Sequence, residues 1–290
     1  FVQEPAVPII DIMETRSAPL AESIPDFVVV GHICQDLLPD GGLSLGGSVS
    51  YAATTALQMG YRVGVVTSAG PDMDLKAALP GADILCDRAA ETTLFENIYH
   101  NGQRTQILHR QANLLTCRQI PPAWRQAPMA YLGSIDQEID DSVFHCFRPD
   151  VMTGVMPQGF FRRWDEHGRV YFTEWTPSES VLRRINLLVL SELDVPEPLD
   201  LAESWAEHIG IVVVTHAERG ATVFQAGERR HYPTRPARQV DPTGASDVFA
   251  AAFLIRLTET GDAGQPLHDA PGAAAELEDL VRRPQTPQGV

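Results

Sequence analysis

Asp241-Pro242-Thr243-Gly244-Ala245-Ser246-Asp247 runs straight into Val248-Phe249-Ala250-Ala251-Ala252-Phe253-Leu254. An acidic residue and a proline precede small residues, and a second carboxylate falls on the first turn of an apolar helix. The start of such a helix leaves the N–H groups of Gly244, Ala245 and Ser246 without intrahelical acceptors. Free donors and the positive end of the helix dipole then coincide, which suits an anion. Asp247 stands beside that anion site as a carboxylate base, so the stretch points to phosphoryl transfer onto a hydroxyl. Gly, Thr and Asp are also ordinary turn and cap residues, and the same string reads as a plain helix start.

Outward from this stretch, the chain alternates buried strands with helices. Phe27-Val28-Val29-Val30-Gly31 is a continuous apolar run, the pattern of a strand covered on both faces. Gly46-Gly47-Ser48 precedes a predicted helix from Val49 to Met59, and a strand follows over Arg62 to Thr67. Later strand runs are Ala130 to Gly133, Val151 to Val155, Leu187 to Leu190 and Ile211 to Thr215, with helices between them at Ser178 to Arg184 and Leu199 to His208. This rhythm implies a mainly parallel sheet with ligands at the carboxyl ends of its strands. One region departs from it. Thr92 to Tyr99 and Arg104 to Arg110 flank His100-Asn101-Gly102-Gln103, and Asn-Gly between alternating residues marks a hairpin. With residues 34–45 it reads as a lid over the active site, or else as a surface hairpin.

The 290 residues suffice for one large core. Net charge is −16, and Lys76 is the only lysine. No basic tract is present, which argues against a nucleic-acid partner. Nucleotide phosphates would have to be held by backbone amides, a metal and a few arginines. No apolar run reaches the roughly 18 residues of a membrane span. Cys34, Cys86, Cys117 and Cys146 lie far apart without C-x-x-C spacing, and the reading is four buried, reduced thiols in a cytoplasmic protein. Residues 1–25 are read as a poorly ordered extension. The chain begins at Phe1 rather than Met, and its native start is expected to be missing. From Gly261 the composition turns to Gly, Pro, Gln, Ala and acid, with one short helix expected over Ala273 to Arg283.

With these pieces in place, residues 27–260 resemble the ribokinase-like PfkB carbohydrate kinase family. Four motifs stand in the family's order. Gly46-Gly47 resembles its early di-glycine. Ser191-Glu192-Leu193-Asp194 stands where the family has N-x-x-E. Thr215-His216-Ala217-Glu218-Arg219-Gly220 resembles T-x-G-x-x-G, and Asp241 to Asp247 resembles D-T-x-G-A-G-D. The resemblance implies a three-layer α/β/α, Rossmann-like fold with a mainly parallel sheet and a small antiparallel β lid. The kinase domain would span 26–260, its lid about 34–45 and 91–115, and 261–290 would be an atypical C-terminal segment.

The same resemblance implies ATP and Mg2+, a small-molecule hydroxyl acceptor, and a possible homodimer through the lid. Asp247 would be the base and the amides of Gly244, Ala245 and Ser246 the anion hole. Asp36 leads the acceptor contacts, with Gly46, Gly47 and Asn97, and Tyr99 beside it. Thr215, Gly220 and Asp241 would line the nucleotide. Asp194, with Glu192 as rival, would serve the metal through water. Each has a plainer reading: a solvated acidic loop for Glu192 and Asp194, a turn for Asp36, and cross-strand pairing for Asn97 and Tyr99. Trp164 and Trp175 are expected to pack core or lid edges.

Four departures from the family's pattern stand out. Ser246 replaces the last glycine of the anion hole, where a Cβ would crowd the phosphate or demand a less favourable backbone angle. Ala217 replaces Gly, and Asp194 replaces Glu. The polar D-x-N-x-R set of many sugar kinases is missing from Gly154-Val155-Met156-Pro157-Gln158-Gly159-Phe160-Phe161-Arg162, which favours a cyclic polyol or a nucleoside over a common hexose. The C-terminal segment lacks the small-residue helix that completes the adenine pocket. A non-catalytic binding protein on the same fold is therefore the alternative. A nucleotide-dependent dehydrogenase is weaker still, because no G-x-G-x-x-G follows the first strand.

Overall fold

The computed structural model describes residues 23–100, 103–234 and 243–261. The expectations for the N-terminal extension up to residue 22, the Asn101-Gly102 turn, Asp241 and Pro242, and the C-terminal segment from 262 lie outside the described residues. In chain order the elements are β1 (Phe27–Val30), β2 (Cys34–Leu37), β3 (Leu43–Gly46), α1 (Ser48–Gln58), β4 (Val63–Ala69), α2 (Leu75–Ala78) and β5 (Asp83–Arg88). Then come β6 (Leu94–His100), β7 (Gln103–Arg110), β8 (Met129–Gly133), β9 (Met152–Met156), β10 (Arg162–Trp164), β11 (Val170–Phe172) and α3 (Glu179–Leu182). The chain continues through β12 (Leu187–Ser191), α4 (Pro198–Trp205), β13 (Ile211–Thr215), β14 (Ala221–Gln225), β15 (Glu228–Tyr232) and α5 (Ala245–Thr260).

Nine strands form one sheet in the order β15-β14-β13-β12-β9-β8-β1-β4-β5. The run from β13 to β5 is parallel, and β14 and β15 add an antiparallel edge. The strands are apolar throughout because successive side chains enter two different cores. Phe27, Val29, Tyr131, Val189 and Val213 face one side, with α1 and α5. Val28, Val30, Leu132, Leu190 and Val214 face the other, with α3, α4 and Trp205. Helix α5 is buried nearly all round, from Val248 through Leu257. It lies close against β9 because Gly154 has no Cβ; one there would stand 2.9 Å from Leu254 Cδ2. The result is the three-layer arrangement with its mainly parallel sheet.

A second sheet, ordered β3-β2-β6-β7, forms the lid. It consists of two antiparallel hairpins joined by parallel pairing of β2 with β6. Where the chain crosses between sheet and lid, a buried ionic cluster ties the crossings together. The His32 imidazole contacts Asp136 Oδ1 at 3.1 Å, the Thr93 hydroxyl at 2.9 Å and the Asn113 carbonyl at 2.8 Å. Thr93 Oγ1 in turn accepts from the Ala112 N–H at 3.0 Å. Residues on both sides of the lid hairpin are thus tied to His32, which directly precedes the lid strands β2 and β3. Burial disfavours a charged imidazole, but the Asp136 and Glu138 carboxylates outweigh it and push His32 up to about 9.

The cysteine expectation fails in part. Cys117 and Cys146 are disulfide-bonded across 29 residues, with Cα atoms 5.4 Å apart, while Cys34 and Cys86 are free. Spacing could not reveal this pairing, because the intervening β8 and loop fold back on themselves. Cys117 N–H donates to Ser142 Oγ at 3.1 Å and Arg125 holds the Cys117 carbonyl at 3.0 Å, which fixes one thiol beside the other. Among the described residues no helix is long and apolar enough to cross a membrane. Denatured without reductant, the chain should take up two alkylating groups, and four after reduction. Uptake of four without reductant in protein purified under oxidising conditions would contradict the pairing.

Candidate active site

The site lies where the carboxyl ends of β1, β8, β12 and β13 meet the starts of α1 and α5. Helix α5 begins at Ala245 with Gly244 as its N-cap, and no side chain caps it. Its first amide donors are therefore left for another partner. Gly244 is left-handed, at φ 77° and ψ −1°, and a Cβ would drive into the Tyr51 ring of α1. Only glycine allows this tight entry, so α5 and α1 approach closely at their N-termini. Ala245 and Ser246 follow in ordinary helical geometry.

That geometry corrects half of the expectation for Ser246. It is not among the residues at positive φ, so serine demands no unfavourable backbone angle there. Its hydroxyl turns toward Thr215, with Oγ atoms 3.3 Å apart. The two hydroxyls add polar partners beside the free amides.

Asp247 is 6 % exposed, although it sits on the first turn of the helix. Its Oδ1 accepts a short hydrogen bond from Ser48 Oγ and another from Tyr131 OH at 3.2 Å. Ser48 Oγ and Tyr131 OH are themselves 3.0 Å apart. Burial pushes the carboxyl up to about 6, the two hydroxyls pull it back down, and the nearby Asp194 charge adds to the rise. Asp247 lies on the first turn of α5 and is bonded by the first residue of α1, a position where helix dipoles favour a negative charge.

Toward the lid, the di-glycine has a steric reason. A Cβ on Gly46 would overlap the Asp36 carboxylate, and one on Gly47, at φ 94°, would sit 2.6 Å from the His32 carbonyl. Gly46 thus lets the Asp36 carboxylate lie two residues from Ser48, the partner of Asp247. Asn97 Nδ2 approaches Asp36 Oδ1 at 3.3 Å, and its own Oδ1 accepts from Arg104 at 2.8 Å and Gln106 at 3.1 Å. Asp36 and Asn97 are therefore brought together. The Tyr99 side chain lies outside the description.

Beyond β12, Asp194 and Glu192 separate. Glu192 is held by His216 Nδ1 at 3.0 Å and by a short ion pair to Arg219. Asp194 is half-buried and accepts from Ser191 N–H at 2.7 Å through Oδ2. Burial raises its carboxyl, while Arg162 and Arg104 oppose the rise. Thr215 reaches the start of α5, as described. Gly220 packs on the backbone of Tyr232, Pro233 and Thr234. Trp164 packs against a small lid cluster and Trp175 stacks on Phe160 at 4.4 Å, as expected of packing residues.

Sequence reasoning missed Ser48, Tyr131, Arg104 and the role of Arg162. Arg162 anchors to the Ile135 carbonyl and to Gln158, both at 2.8 Å, and its charge is felt at Asp194 and Asp247. A cue for Ser48 was its place directly after the di-glycine. Tyr131 gave none, because it reads as one more core residue of a strand.

The family model described as "pfkB family carbohydrate kinase" matches residues 188–284. Over those residues the chain is similar to the PfkB family. A cytidine kinase of Thermococcus kodakarensis is 27 % identical over 274 residues, covering 84 % of this chain and 91 % of that protein. The inositol 3-kinase of Arabidopsis thaliana is 25 % identical over 246 residues, covering 80 % and 68 %. In fold, this chain superposes with a TM-score of 0.72 on a pyrophosphate-dependent kinase of the ribokinase family, complexed with a pyrophosphate analogue and myo-inositol. That match has 20 % identity and covers 86 % of this chain and 94 % of the other. The chain thus has the ribokinase fold.

Its departure at Ala217 also gains a physical meaning. Ala217 is exposed and held at φ 50°, a left-handed conformation that favours glycine. Gly220 is at φ 98°, where a Cβ would collide with the Tyr232 carbonyl. Ala217→Gly should stabilise the protein by about 0.5–1 kcal/mol, whereas Gly220→Ala should cost about 2 kcal/mol or more. Urea titrations of the two variants check the pair of opposite signs.

Proposed function

We propose that this protein transfers the γ-phosphate of ATP to a hydroxyl of a small polyol, sugar or nucleoside. The observation that carries this reading is Asp247, a buried carboxylate raised to about 6 at the uncapped start of α5. A base with a pKa near the working pH is suited to take a proton from an alcohol as it reacts. The motif order and the inositol and cytidine kinase relatives support the same class.

In this reading Asp36 and Asn97 accept and donate hydrogen bonds to the acceptor's hydroxyls, and Gly46 and Gly47 let its ring approach the backbone. Asp247 removes the proton of the reacting hydroxyl. That oxygen forms a bond to the γ-phosphorus while the bond to the bridging oxygen breaks, and ADP leaves. The amides of Gly244, Ala245 and Ser246, with the hydroxyls of Ser246 and Thr215, receive the charge that develops on the transferred group. Gly220 and Asp241 belong to the nucleotide side.

Asp194 is the carboxylate that fits a divalent cation. One of its oxygens is bonded to Ser191 N–H and it faces the donor side, whereas Glu192 is committed to His216 and Arg219. Mg2+ there would neutralise phosphate charge, held partly through waters. Arg162, and Arg104 from the lid, would add positive charge beside Asp194.

A second donor reading is inorganic pyrophosphate, favoured by the superposition on a pyrophosphate-dependent kinase. It uses the same base and anion hole, and phosphate leaves instead of ADP.

The test is a panel of inositols, nucleosides and sugars assayed for ADP release with ATP and for phosphate release with pyrophosphate. Turnover with an acceptor in one arm supports the reading. Asp247→Asn should lower kcat about 10²- to 10⁴-fold, and unchanged turnover in that variant would sink the mechanism. The base must be ionised to act. Because its pKa is raised, activity should be lost as pH falls through about 6. An acid limb near the ordinary aspartate range would contradict the buried base.

A further inference from the structure

Two hydroxyls outside the recognised motifs converge on one oxygen of Asp247. Ser48 is the first residue of α1 and is 1 % exposed, and Tyr131 is fully buried in β8. Ser48 Oγ and Tyr131 OH both donate to Asp247 Oδ1, and they lie 3.0 Å from each other. The three side chains come from segments separated by 83 to 199 positions, so the cluster is a product of the fold rather than of local sequence.

The surroundings are shaped to hold this cluster. Gly133, two residues beyond Tyr131, leaves the space that Ser48 fills. A Cβ on Gly133 would stand 2.5 Å from Ser48 Oγ and 2.9 Å from Tyr131 Cε1. Gly31 in turn lets the Gly133 carbonyl approach β1. The Tyr131 ring is fixed by Phe27, with centroids 6.3 Å apart. Ser48 and Tyr131 are thus both buried beside Gly133, within reach of Asp247.

We propose that Ser48 and Tyr131 are positioning residues for Asp247. They clamp its Oδ1 and keep the carboxylate ionised, so that Oδ2 is the oxygen that takes the acceptor's proton. This rests on Asp247 being the base. Hydrogen bonds to the charged form favour ionisation, and both donors oppose the effect of burial. Other charged or titratable groups around Asp247 are Asp194 after β12 and Arg162 at the start of β10, while Tyr51 of α1 lies against Gly244. Asp194 and Arg162 act on Asp247 with opposite sign, which leaves the two hydroxyls as the groups that bond it directly.

The prediction separates positioning from mere structure. Ser48→Ala and Tyr131→Phe each remove one donor while keeping the volume nearly unchanged. In each, the acid limb of kcat/KM for the acceptor should move to higher pH by roughly half a unit to one unit. At pH 6 kcat/KM should therefore fall about two- to fivefold, with the donor KM unchanged and most of the loss recovered at pH 8.5. The double variant should shift the limb further than either single one. Thermal melts and circular dichroism identify any variant that fails to fold, and Tyr131→Phe, which preserves the ring in the core, then carries the test.

An acid limb that stays in place in folded variants, or a loss that is equal at every pH, would overturn the proposal. Asp247→Asn, run alongside, keeps the two claims apart. An active Asp247→Asn removes the base itself. An inactive one beside unshifted Ser48 and Tyr131 variants removes only the positioning role.

Discussion

A carboxylate without solvent at the start of an apolar helix is the constraint on which the site depends. Asp247 belongs to the first turn of α5, where the dipole favours a negative charge, yet the helix is buried nearly all round. Burial resists ionisation, and the local donors oppose it. The outcome is a carboxyl near 6 rather than near its ordinary value. The same closeness of α5 to α1 requires glycine at 244, next to the Tyr51 ring. Small residues at 133 and 154 then set how tightly the helices and sheet close around this carboxylate. An exposed Asp247 would be a stronger acid and a weaker base.

The lid is connected to that centre by short routes. Asp36 lies over Gly46, and Gly47 leads directly into Ser48. On the other side of the crossing, His32 collects the buried Thr93 and Asp136 side chains and the Asn113 carbonyl. A buried ionic cluster of this sort is weak evidence for stability. Its geometric effect is clear: the sheet end and both flanks of the lid hairpin share one set of partners. Asp36 and Asn97 are thereby held on a platform whose base is fixed next to β1 and β8. Arg104, bonded to Asn97, carries charge from the lid toward Asp194 and Arg162.

Much of this was legible in the sequence, for identifiable reasons. Strands such as Phe27–Val30 and Ile211–Thr215 are apolar at every position because both faces are covered, and that pattern is local. The di-glycine and the glycine before Asp247 are backbone requirements, again local. What escaped was long-range. Ser48 and Tyr131 reach Asp247 across 199 and 116 positions, and nothing nearby marks either as polar machinery. The Cys117–Cys146 pair depends on a fold-back that spacing does not encode. Ser246 could be flagged as a departure, but only the helix geometry shows that it needs no special backbone angle. Ala217 was the reverse case: it looked modest, and it occupies a left-handed position.

Direct titration of the Asp247 carboxyl tests the central claim most closely. Carbon-13 NMR of aspartate-labelled protein, compared with Asp247→Asn to assign the signal, follows its chemical shift with pH. A midpoint near 6 is the predicted result. A midpoint in the ordinary aspartate range would contradict a carboxylate enclosed by α1, α5 and β8.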